Sequence, residues 1–250
     1  MLTYEKAQKE LIKLIRGMRG KYNVYDIYRD FITLAACAIS NKVDIRQFEK
    51  REKLYMDTIA KYDKKEAVKF IDMLHVTRQG LASGQLGDFV GETYMQLELG
   101  NKEMGQYFTP YDIARLLASM LEFEESNEGL ITINEPTCGS GGMIVAYAEQ
   151  LKLKDINYHQ KMRVVCQDLD HDIVKMCYVQ LSLLGIDAVV MQGNTLTMQM
   201  NEYWYTPMHL VNMIDDAKKK DQEVDEMKDI IKKVGALEAE QEQSTIYDFL

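Results

Sequence analysis

Apolar residues recur at helical spacing through the first hundred positions of the chain. Residues 3–16 carry them on one face, and residues 24–40 become almost continuously apolar, as expected of a core helix. Asp44 and Asp63 precede further helical patterns and are predicted N-caps. These further patterns cover residues 45–60, 64–78 and 88–99. The pattern therefore predicts an all-helical N-terminal domain over residues 1–104.

From residue 105 onward, short apolar strands alternate with helical patterns. The predicted strands cover residues 130–134, 162–166, 187–191 and 208–214, and the predicted helices cover residues 111–122, 143–151 and 171–184. Thr109 is the predicted N-cap of the first of these helices, with Pro110 in its first turn. Such alternation indicates an α/β domain, which we assign to residues 105–214. Residues 215–250 are predicted to form a charged C-terminal helix and tail.

A glycine-rich turn lies between the first predicted strand and the helix that follows it. From Glu135 to Gly142 it reads Glu-Pro-Thr-Cys-Gly-Ser-Gly-Gly. Glycine lets the backbone approach a ligand where a Cβ would clash, and the free N–H groups of a helix start can hold a carboxylate or phosphate. The spacing is not Gly-x-Gly-x-x-Gly, which disfavours a dinucleotide. The turn thus predicts a ligand site, with a purely structural turn as the alternative.

Charge is unevenly distributed along the 250 residues, whose formal net charge is -9. Lysine and arginine outnumber aspartate and glutamate only in residues 1–104, so any nucleic-acid surface is expected there. The alternative is that these cations form an ordinary solvated surface. The acidic remainder is a poor DNA binder by itself, because clustered cations supply the affinity for phosphates. No apolar run reaches membrane-spanning length and the charged start is not a signal peptide, so we expect a cytoplasmic protein without membrane contact.

The cysteine and histidine positions indicate no metal site. Four cysteines and four histidines contain no Cys-x-x-Cys pair and no spacing typical of zinc ligands. We expect reduced cysteines that pack as small buried hydrophobic groups. Cys138 lies inside the glycine turn, but no histidine accompanies it as a base, so a nucleophilic cysteine is not predicted.

Three more segments flank the glycine turn in a characteristic order. Gly-Gln-Tyr-Phe-Thr-Pro ends at Pro110, Asp168 follows the second predicted strand, and Gly-Asn-Thr-Leu ends at Leu196. With the glycine turn, these segments resemble the methylation subunit of type I restriction-modification systems, the adenine-N6 DNA methylases. The resemblance covers roughly Asp88 to Leu196, with a weaker match in the helical N-terminal part.

The resemblance implies a Rossmann-like fold that binds S-adenosylmethionine (SAM), preceded by an all-helical domain. It also implies a parallel sheet with strand order beginning 3-2-1-4. In such a fold Asp168 accepts hydrogen bonds from the ribose hydroxyls, and Asn194 accepts one from the adenine amino group. The implied cofactor-binding residues are Gln106, Tyr107, Phe108, Thr109, Pro110, Tyr111, Glu135, Pro136, Thr137, Gly139, Ser140, Gly141, Gly142, Asp168, Leu169, Asn194, Thr195 and Leu196. Alternatively, Tyr107 and Phe108 seal a junction between domains.

One family feature is missing from the chain. Adenine methylases carry an Asn/Asp/Ser-Pro-Pro-Tyr/Phe block that holds the flipped base, whereas the prolines here, Pro110, Pro136 and Pro207, are never adjacent. Tyr203-Trp204-Tyr205 could stack on a base, although a core plug over the sheet edge is the preferred interpretation. The catalytic residues are therefore unknown, and the sheet is predicted to be truncated.

Three functional hypotheses follow from these features. The first is a SAM-dependent adenine-N6 DNA methyltransferase or its modification subunit. The second is a catalytically silent SAM-binding protein with an accessory or regulatory role, and the third is a binder of another adenosine ligand. The expected partners are DNA, reached through the N-terminal domain or with a partner subunit, and a specificity-type subunit or a second copy of the chain.

Overall fold

The structure is a computed structural model that describes residues 2–99, 108–122, 126 and 129–222. The helices are α1 (Tyr4–Arg16), α2 (Val24–Ser40), α3 (Phe48–Ile59), α4 (Lys64–Leu81), α5 (Phe89–Gln96), α6 (Tyr111–Ser119), α7 (Gly142–Leu153), α8 (Tyr158–Lys161) and α9 (His171–Leu183). The strands are β1 (Ile131–Glu135), β2 (Met162–Asp168), β3 (Asp187–Asn194) and β4 (Gln199–Tyr205). These elements confirm the predicted α/β class and the helical N-terminal part.

The chain divides into two compact units, Met1–Leu210 and Val211–Leu250. All the elements named above belong to the first unit. Residues 207–222 are helical, so the described start of the second unit is helix, and the rest of the predicted charged tail lies outside the described residues. None of the described helices has the length and apolar character needed to cross a membrane.

The sheet has the order β1-β2-β3-β4. β1 pairs with β2 and β2 with β3 in parallel, joined by helices that include α7 and α9, as expected of a Rossmann-like arrangement. The strands predicted over residues 130–134, 162–166 and 187–191 are thereby confirmed, in the predicted neighbour order. Their carboxyl ends meet at one edge of the sheet, which is where this kind of sheet holds ligands.

The prediction for the fourth strand is wrong. Residues 208–214 are helical, and the strand beside β3 is β4, which runs antiparallel to it rather than parallel beside β1. The connection from β3 to β4 is too short for a crossover, and a short turn can join only antiparallel neighbours. Thr206 and Pro207 then start a helix, with the Thr206 hydroxyl accepting a hydrogen bond from the His209 N–H.

Two of the three predicted helix starts are also corrected. Asp63 caps α4, as predicted, and the structure shows that it forms a full capping box with Glu66. Asp44 makes no cap, because its buried carboxylate pairs with Arg51 instead, and a 3-10 turn precedes α3. Pro110 rather than Thr109 occupies the N-cap position of α6, and its ring leaves that cap without a side-chain acceptor.

The helical N-terminal part and the sheet share one hydrophobic core. α2 is buried along most of its length and packs on α9, whose other contacts include β2 and β3. At this junction the Lys175 ammonium donates a hydrogen bond to the Thr33 hydroxyl at 3.2 Å. α9 therefore lies between the helical part and the sheet. The domain boundary at residue 104 stays a prediction.

A buried arginine fastens α3 to the edge strand. Arg51 pairs with Asp44 at 3.3 Å, donates to the Tyr203 carbonyl at 2.6 Å and lies over the Trp204 ring at 4.0 Å from its centroid. It also contacts the Ser40 hydroxyl. Trp204 is fully buried beneath it. The core-plug interpretation of Trp204 therefore agrees with the structure, since a ring enclosed in this way is not accessible to a base.

Candidate functional site

The glycine turn connects β1 to α7 at the carboxyl edge of the sheet. Gly139 and Gly141 have φ angles of 54° and 91°, which L side chains rarely adopt. Just before these glycines, the Cys138 N–H donates to the carbonyl of Gln167 in β2 at 2.8 Å. The turn is thus bound to the end of the neighbouring strand, and its glycines are required by its backbone conformation.

Asp168 at the end of β2 completes this connection. Its Oδ2 accepts a hydrogen bond from the Gly139 N–H at 3.0 Å, and its Oδ1 accepts one from the Asp170 N–H at 3.1 Å. Burial raises the pKa of the Asp168 carboxyl, and the two backbone donors partly counteract that shift. A carboxylate oxygen can accept more than one hydrogen bond. Asp168 therefore keeps acceptor capacity for a ligand while it holds the turn.

The end of β3 lies against the same edge. The Thr195 hydroxyl donates to the Pro136 carbonyl at 2.8 Å, which joins the β3–β4 turn to the glycine turn. The Asn194 Oδ1 accepts hydrogen bonds from the N–H groups of Leu196 and Thr197 at 3.0 and 3.2 Å. The oxygen predicted to face an adenine amino group is therefore engaged with the turn itself.

Two leucines at these strand ends are unusually exposed. Leu169 after β2 is 65% exposed, and Leu196 after β3 is 96% exposed. Leu169 directly follows Asp168, which bonds to the glycine turn, and the Leu196 N–H donates to the Asn194 side chain. Exposed large apolar side chains beside convergent polar groups are typical of a ligand site.

Phe108, from the Gly-Gln-Tyr-Phe-Thr-Pro segment upstream of the sheet, contacts the glycine turn. A Cβ added to Gly139 would lie 3.1 Å from the Phe108 ring, which is closer than side chains usually pack. The ring also packs against Tyr94 of α5, with centroids 5.4 Å apart. Phe108 is thus placed at the predicted site, and it contacts α5 as well as the turn. Gln106 and Tyr107, its predicted companions, lie outside the described residues.

The other residues of the upstream segment face a different space. The Tyr111 hydroxyl donates to Glu149 of α7 at 3.2 Å. Thr109, Pro110 and Tyr111, together with Phe108, line a cavity of 760 Å³ bordered by α1, α5, α6 and α7. The described lining of this cavity includes no residue of the glycine turn and neither Asp168 nor Asn194. We place the candidate site at the strand ends, because the convergent acceptors and donors are there.

Not every residue of the glycine turn faces the open edge. The Glu135 Oε1 accepts from the Thr137 N–H at 3.2 Å, so both lie at the mouth of the turn. A Cβ on Gly141 would instead approach the Cys177 sulfur at 3.2 Å and Leu181 in α9. The side chain of Ser140 is also buried. Gly141 and Ser140 therefore shape the turn from its inner side.

A buried carboxylate that the sequence did not single out supports the turn. Asp88, 2% exposed, accepts hydrogen bonds from the Ser140 hydroxyl at 2.6 Å, the Gln180 amide at 2.8 Å and the Gly91 N–H at 3.0 Å. The Gln180 amide also donates to the Ser140 carbonyl at 2.9 Å and accepts from the Val90 N–H. Burial raises the pKa of Asp88, against the effect of its three donors. In the sequence, Asp88 stood out only as the first residue of the helix predicted over residues 88–99.

Three cysteines meet beneath the glycine turn. The sulfur atoms of Cys138, Cys166 and Cys177 lie within 4.8 Å of one another, and all three residues are buried. They come from the turn, from β2 and from α9 respectively. Sequence spacing predicted no metal site, and it did not reveal this cluster, because its members are brought together only by the fold.

The sequence and the fold were compared with those of known proteins. The sequence profile of the family described as N-6 DNA Methylase matches residues 87–239. No curated protein matches the chain. Similar solved structures include a protein of Listeria monocytogenes described as a class I S-adenosylmethionine-dependent methyltransferase (16% identity, TM-score 0.41, 77% of this chain and 55% of that one). Another is a type I restriction-modification system methyltransferase subunit of Streptococcus thermophilus (14% identity, TM-score 0.34, 73% of this chain and 55% of that one). The chain thus spans about half the length of each of these structures.

Proposed function

The chain belongs to the N-6 DNA methylase family, and from this premise we propose that it binds SAM at the carboxyl ends of β1, β2 and β3 for the adenine-N6 methylation of DNA. The observation that carries the proposal is the hydrogen bond from the Gly139 N–H to Asp168 at 3.0 Å. It joins a glycine turn at a helix start to an acid at the next strand end, which is the arrangement that holds a ribose in sheets of this kind.

The residues present suit an adenosine ligand with a charged amino-acid tail. Asp168 offers its remaining lone pairs to the ribose hydroxyls. The exposed side chains of Leu169 and Leu196 provide apolar surface for the adenine ring. The start of α7 supplies N–H groups for a carboxylate, and Glu135 at the mouth of the turn suits an ammonium group. Asn194 fixes the turn that carries Leu196, while its direct contact with the adenine amino group stays a prediction.

The glycine turn also supplies a fit test for the cofactor. Gly139 has a φ of 54°, and a Cβ added there would lie only 3.1 Å from the Phe108 ring, so the glycine backbone itself forms that surface. A backbone of this kind can approach a ligand more closely than one with side chains. When bound, SAM supplies an electrophilic methyl group, and the residues described here bind and orient it.

The family membership and the distribution of charge support a proposal for the wider role of the protein. We place the protein in a restriction-modification setting, with DNA as substrate and a specificity-type subunit or a second copy of the chain as partner. The cation surplus of residues 1–104 favours DNA contact through that part or jointly with a partner, because phosphate affinity comes from clustered cations. The sequence contains no Pro-Pro block, so we expect the pocket for the flipped adenine to require a partner.

Two measurements on the purified chain test this proposal. Isothermal titration calorimetry with SAM should show saturable binding, and no heat at millimolar SAM would refute the proposed site. Transfer of tritiated methyl groups from SAM to unmethylated genomic DNA should be weak with the chain alone and rise when the products of neighbouring genes are added.

The two measurements together separate the hypotheses. Robust N6-methyladenine formation by the single chain would contradict the need for a partner. SAM binding without transfer under either condition would instead support the catalytically silent alternative. Binding of adenosine but not of SAM would support a different adenosine ligand.

A further inference from the structure

The three-thiol cluster beneath the glycine turn is built from separate parts of the fold. Cys138 lies in the turn before α7, Cys166 in the middle of β2 and Cys177 within α9. Their sulfur atoms lie within 4.8 Å of one another. Cys166 and Cys177 are fully buried, and Cys138 is 6% exposed. Three sulfur donors therefore converge on one point from three backbones.

The backbones that carry these sulfurs are held in place. The Cys138 N–H is hydrogen-bonded to the Gln167 carbonyl at 2.8 Å, immediately after Cys166 in β2. β2 lies inside the sheet between β1 and β3, and Cys177 belongs to a helix packed on that sheet. The convergence of the thiols thus follows from regular structure rather than from a loose surface loop.

The spacing suits a single soft metal ion. Zinc–thiolate bonds of about 2.3 Å place three sulfurs about 3.8–4.0 Å apart around the ion. Closing the cluster from its present spacing requires sulfur movements of less than about 1 Å, which side-chain rotation can supply. Thiolates are the ligands that soft cations prefer, whereas magnesium and calcium require oxygen.

The surroundings can accept the charge of such a complex. A divalent ion with three thiolates carries one net negative charge, and the three thiol protons pass to solvent. A Cβ on Gly141 would lie 3.2 Å from the Cys177 sulfur, so the N-cap residue of α7 lies against the cluster. The positive end of a helix dipole stabilises a negative charge there. This is a second feature, independent of sulfur spacing, that favours the loaded cluster.

From these observations we infer that Cys138, Cys166 and Cys177 form a binding site for one thiophilic divalent cation of the zinc type. The ion would cross-link the glycine turn to β2 and α9. It would enter past Cys138, the one member with some exposure. Occupancy should therefore raise the thermal stability of the protein and fix the turn. The inference does not depend on the proposed function, because it rests on the cysteines alone.

The first test uses cadmium as a spectroscopic probe. Reduced full-length protein is titrated with Cd²⁺ while the ultraviolet absorbance of cadmium–thiolate charge transfer is followed. One equivalent should bind, and both Cys166→Ala and Cys177→Ala should weaken the binding at least tenfold. The matched control is Cys37→Ala, because Cys37 is also buried and free but lies in α2 outside the cluster. This variant should bind cadmium as the wild type does.

The outcomes are decisive in both directions. Equal cadmium binding by Cys177→Ala and wild type, or loss of binding in Cys37→Ala, would overturn the inference. Circular dichroism of each metal-free variant shows whether it is folded.

A second test uses zinc itself. X-ray absorption at the zinc edge of wild-type protein loaded with one equivalent of Zn²⁺ should show three sulfur neighbours at about 2.3 Å. A shell of nitrogen and oxygen neighbours without sulfur would overturn the inference. Zinc should also raise the melting temperature of wild type and Cys37→Ala but leave that of Cys166→Ala unchanged.

Discussion

Asp168 serves both the glycine turn and the proposed ligand. Its two oxygens accept from the N–H groups of Gly139 and Asp170, and the residue lies at the edge of the sheet where the parallel strands end. Removing the side chain therefore takes away a ligand acceptor and a turn anchor together. Among single side chains of the candidate site, this one combines both roles.

Asp168→Ala should weaken SAM binding by about 1.5–3 kcal/mol, the range for hydrogen bonds to a charged group. Calorimetric titration of the wild type and the variant measures the difference. Asp170→Ser is the control, because serine retains a cap for α9, where Asp170 now accepts from the Asp172 and Ile173 N–H groups. Equal affinities of Asp168→Ala and wild type would contradict the assigned role.

Asp88 supports the same turn from the inside. Asp88→Ala leaves the Ser140 hydroxyl, the Gln180 amide and the Gly91 N–H without their acceptor. Each buried group left unpaired costs about 1–3 kcal/mol. Asp88→Asn should cost much less, since its oxygen can face Gln180 and Gly91 while its amide donates to Ser140. Urea unfolding of both variants checks this order, and a loss no greater in Asp88→Ala than in Asp88→Asn would contradict it.

The pH dependence of these unfolding curves tests the same carboxylate. Burial raises the pKa of Asp88 in the folded state above its unfolded value, so the folded protein holds this proton more tightly. Its contribution to stability is present below the unfolded pKa and is lost as the pH rises through the folded pKa. Relative to Asp88→Asn, wild type should therefore lose stability as pH rises through that window. A constant difference would show that the pKa is not shifted.

At the scale of elements, the buried side chain of Arg51 fastens α3 to the edge strand β4, beside an exposed Lys50 that pairs with Glu202 at 2.8 Å. The guanidinium of Arg51 is 1% exposed and is bonded to Asp44 and to the Tyr203 carbonyl. Burial lowers its pKa, against the raising effect of Asp44. A buried ion pair of this kind costs desolvation energy when it forms, but breaking it leaves an unpaired charge.

Arg51→Ala should lower the free energy of unfolding by about 3–5 kcal/mol, because the buried Asp44 carboxylate then loses its buried partner and keeps only the exposed Arg46. Urea denaturation measures this loss. Arg46→Ala is the matched control, since Arg46 pairs with the same carboxylate at 3.3 Å but is itself 66% exposed. Exposed pairs contribute about 0–1 kcal/mol, so a similar loss in both variants would refute the special role of Arg51.

At the scale of the whole molecule, residues Met1–Leu210 form one compact unit. The hydrophobic core continues from α2 through α9 to the sheet. Asp88 and Arg51 add buried polar contacts between the helical part and the rest of the unit. A unit joined in this way is expected to unfold cooperatively.

Two probes can test this cooperativity. The single tryptophan, Trp204, reports on β4 by fluorescence, whereas far-ultraviolet circular dichroism reports mainly on helices, most of which precede the sheet. In urea the two transitions should coincide in midpoint and slope, as expected for two-state unfolding. Two transitions with different midpoints would contradict a single cooperative unit.

The sequence alone determined the elements that depend on near neighbours. The Asp63 cap of α4, the parallel strands β1 to β3 and the glycine conformations of the turn were all readable from local patterns. Each depends on residues within a few positions, or on backbone conformations that only glycine adopts freely. The positions of the turn and Asp168 at adjoining strand ends followed from the same alternation of strands and helices.

Tertiary structure alone decided which distant side chains meet. Asp44 pairs with Arg51 instead of capping a helix. Asp88 accepts a hydrogen bond from Ser140, 52 positions further along the chain, and the three cysteines converge beneath the turn. The chain after β3 turns back as β4, although residues 208–214 have a strand-like apolar pattern. A buried polar group takes whichever partner packing brings within reach, because leaving it unpaired is costly. Local propensity does not encode that choice, since the partner lies on another element.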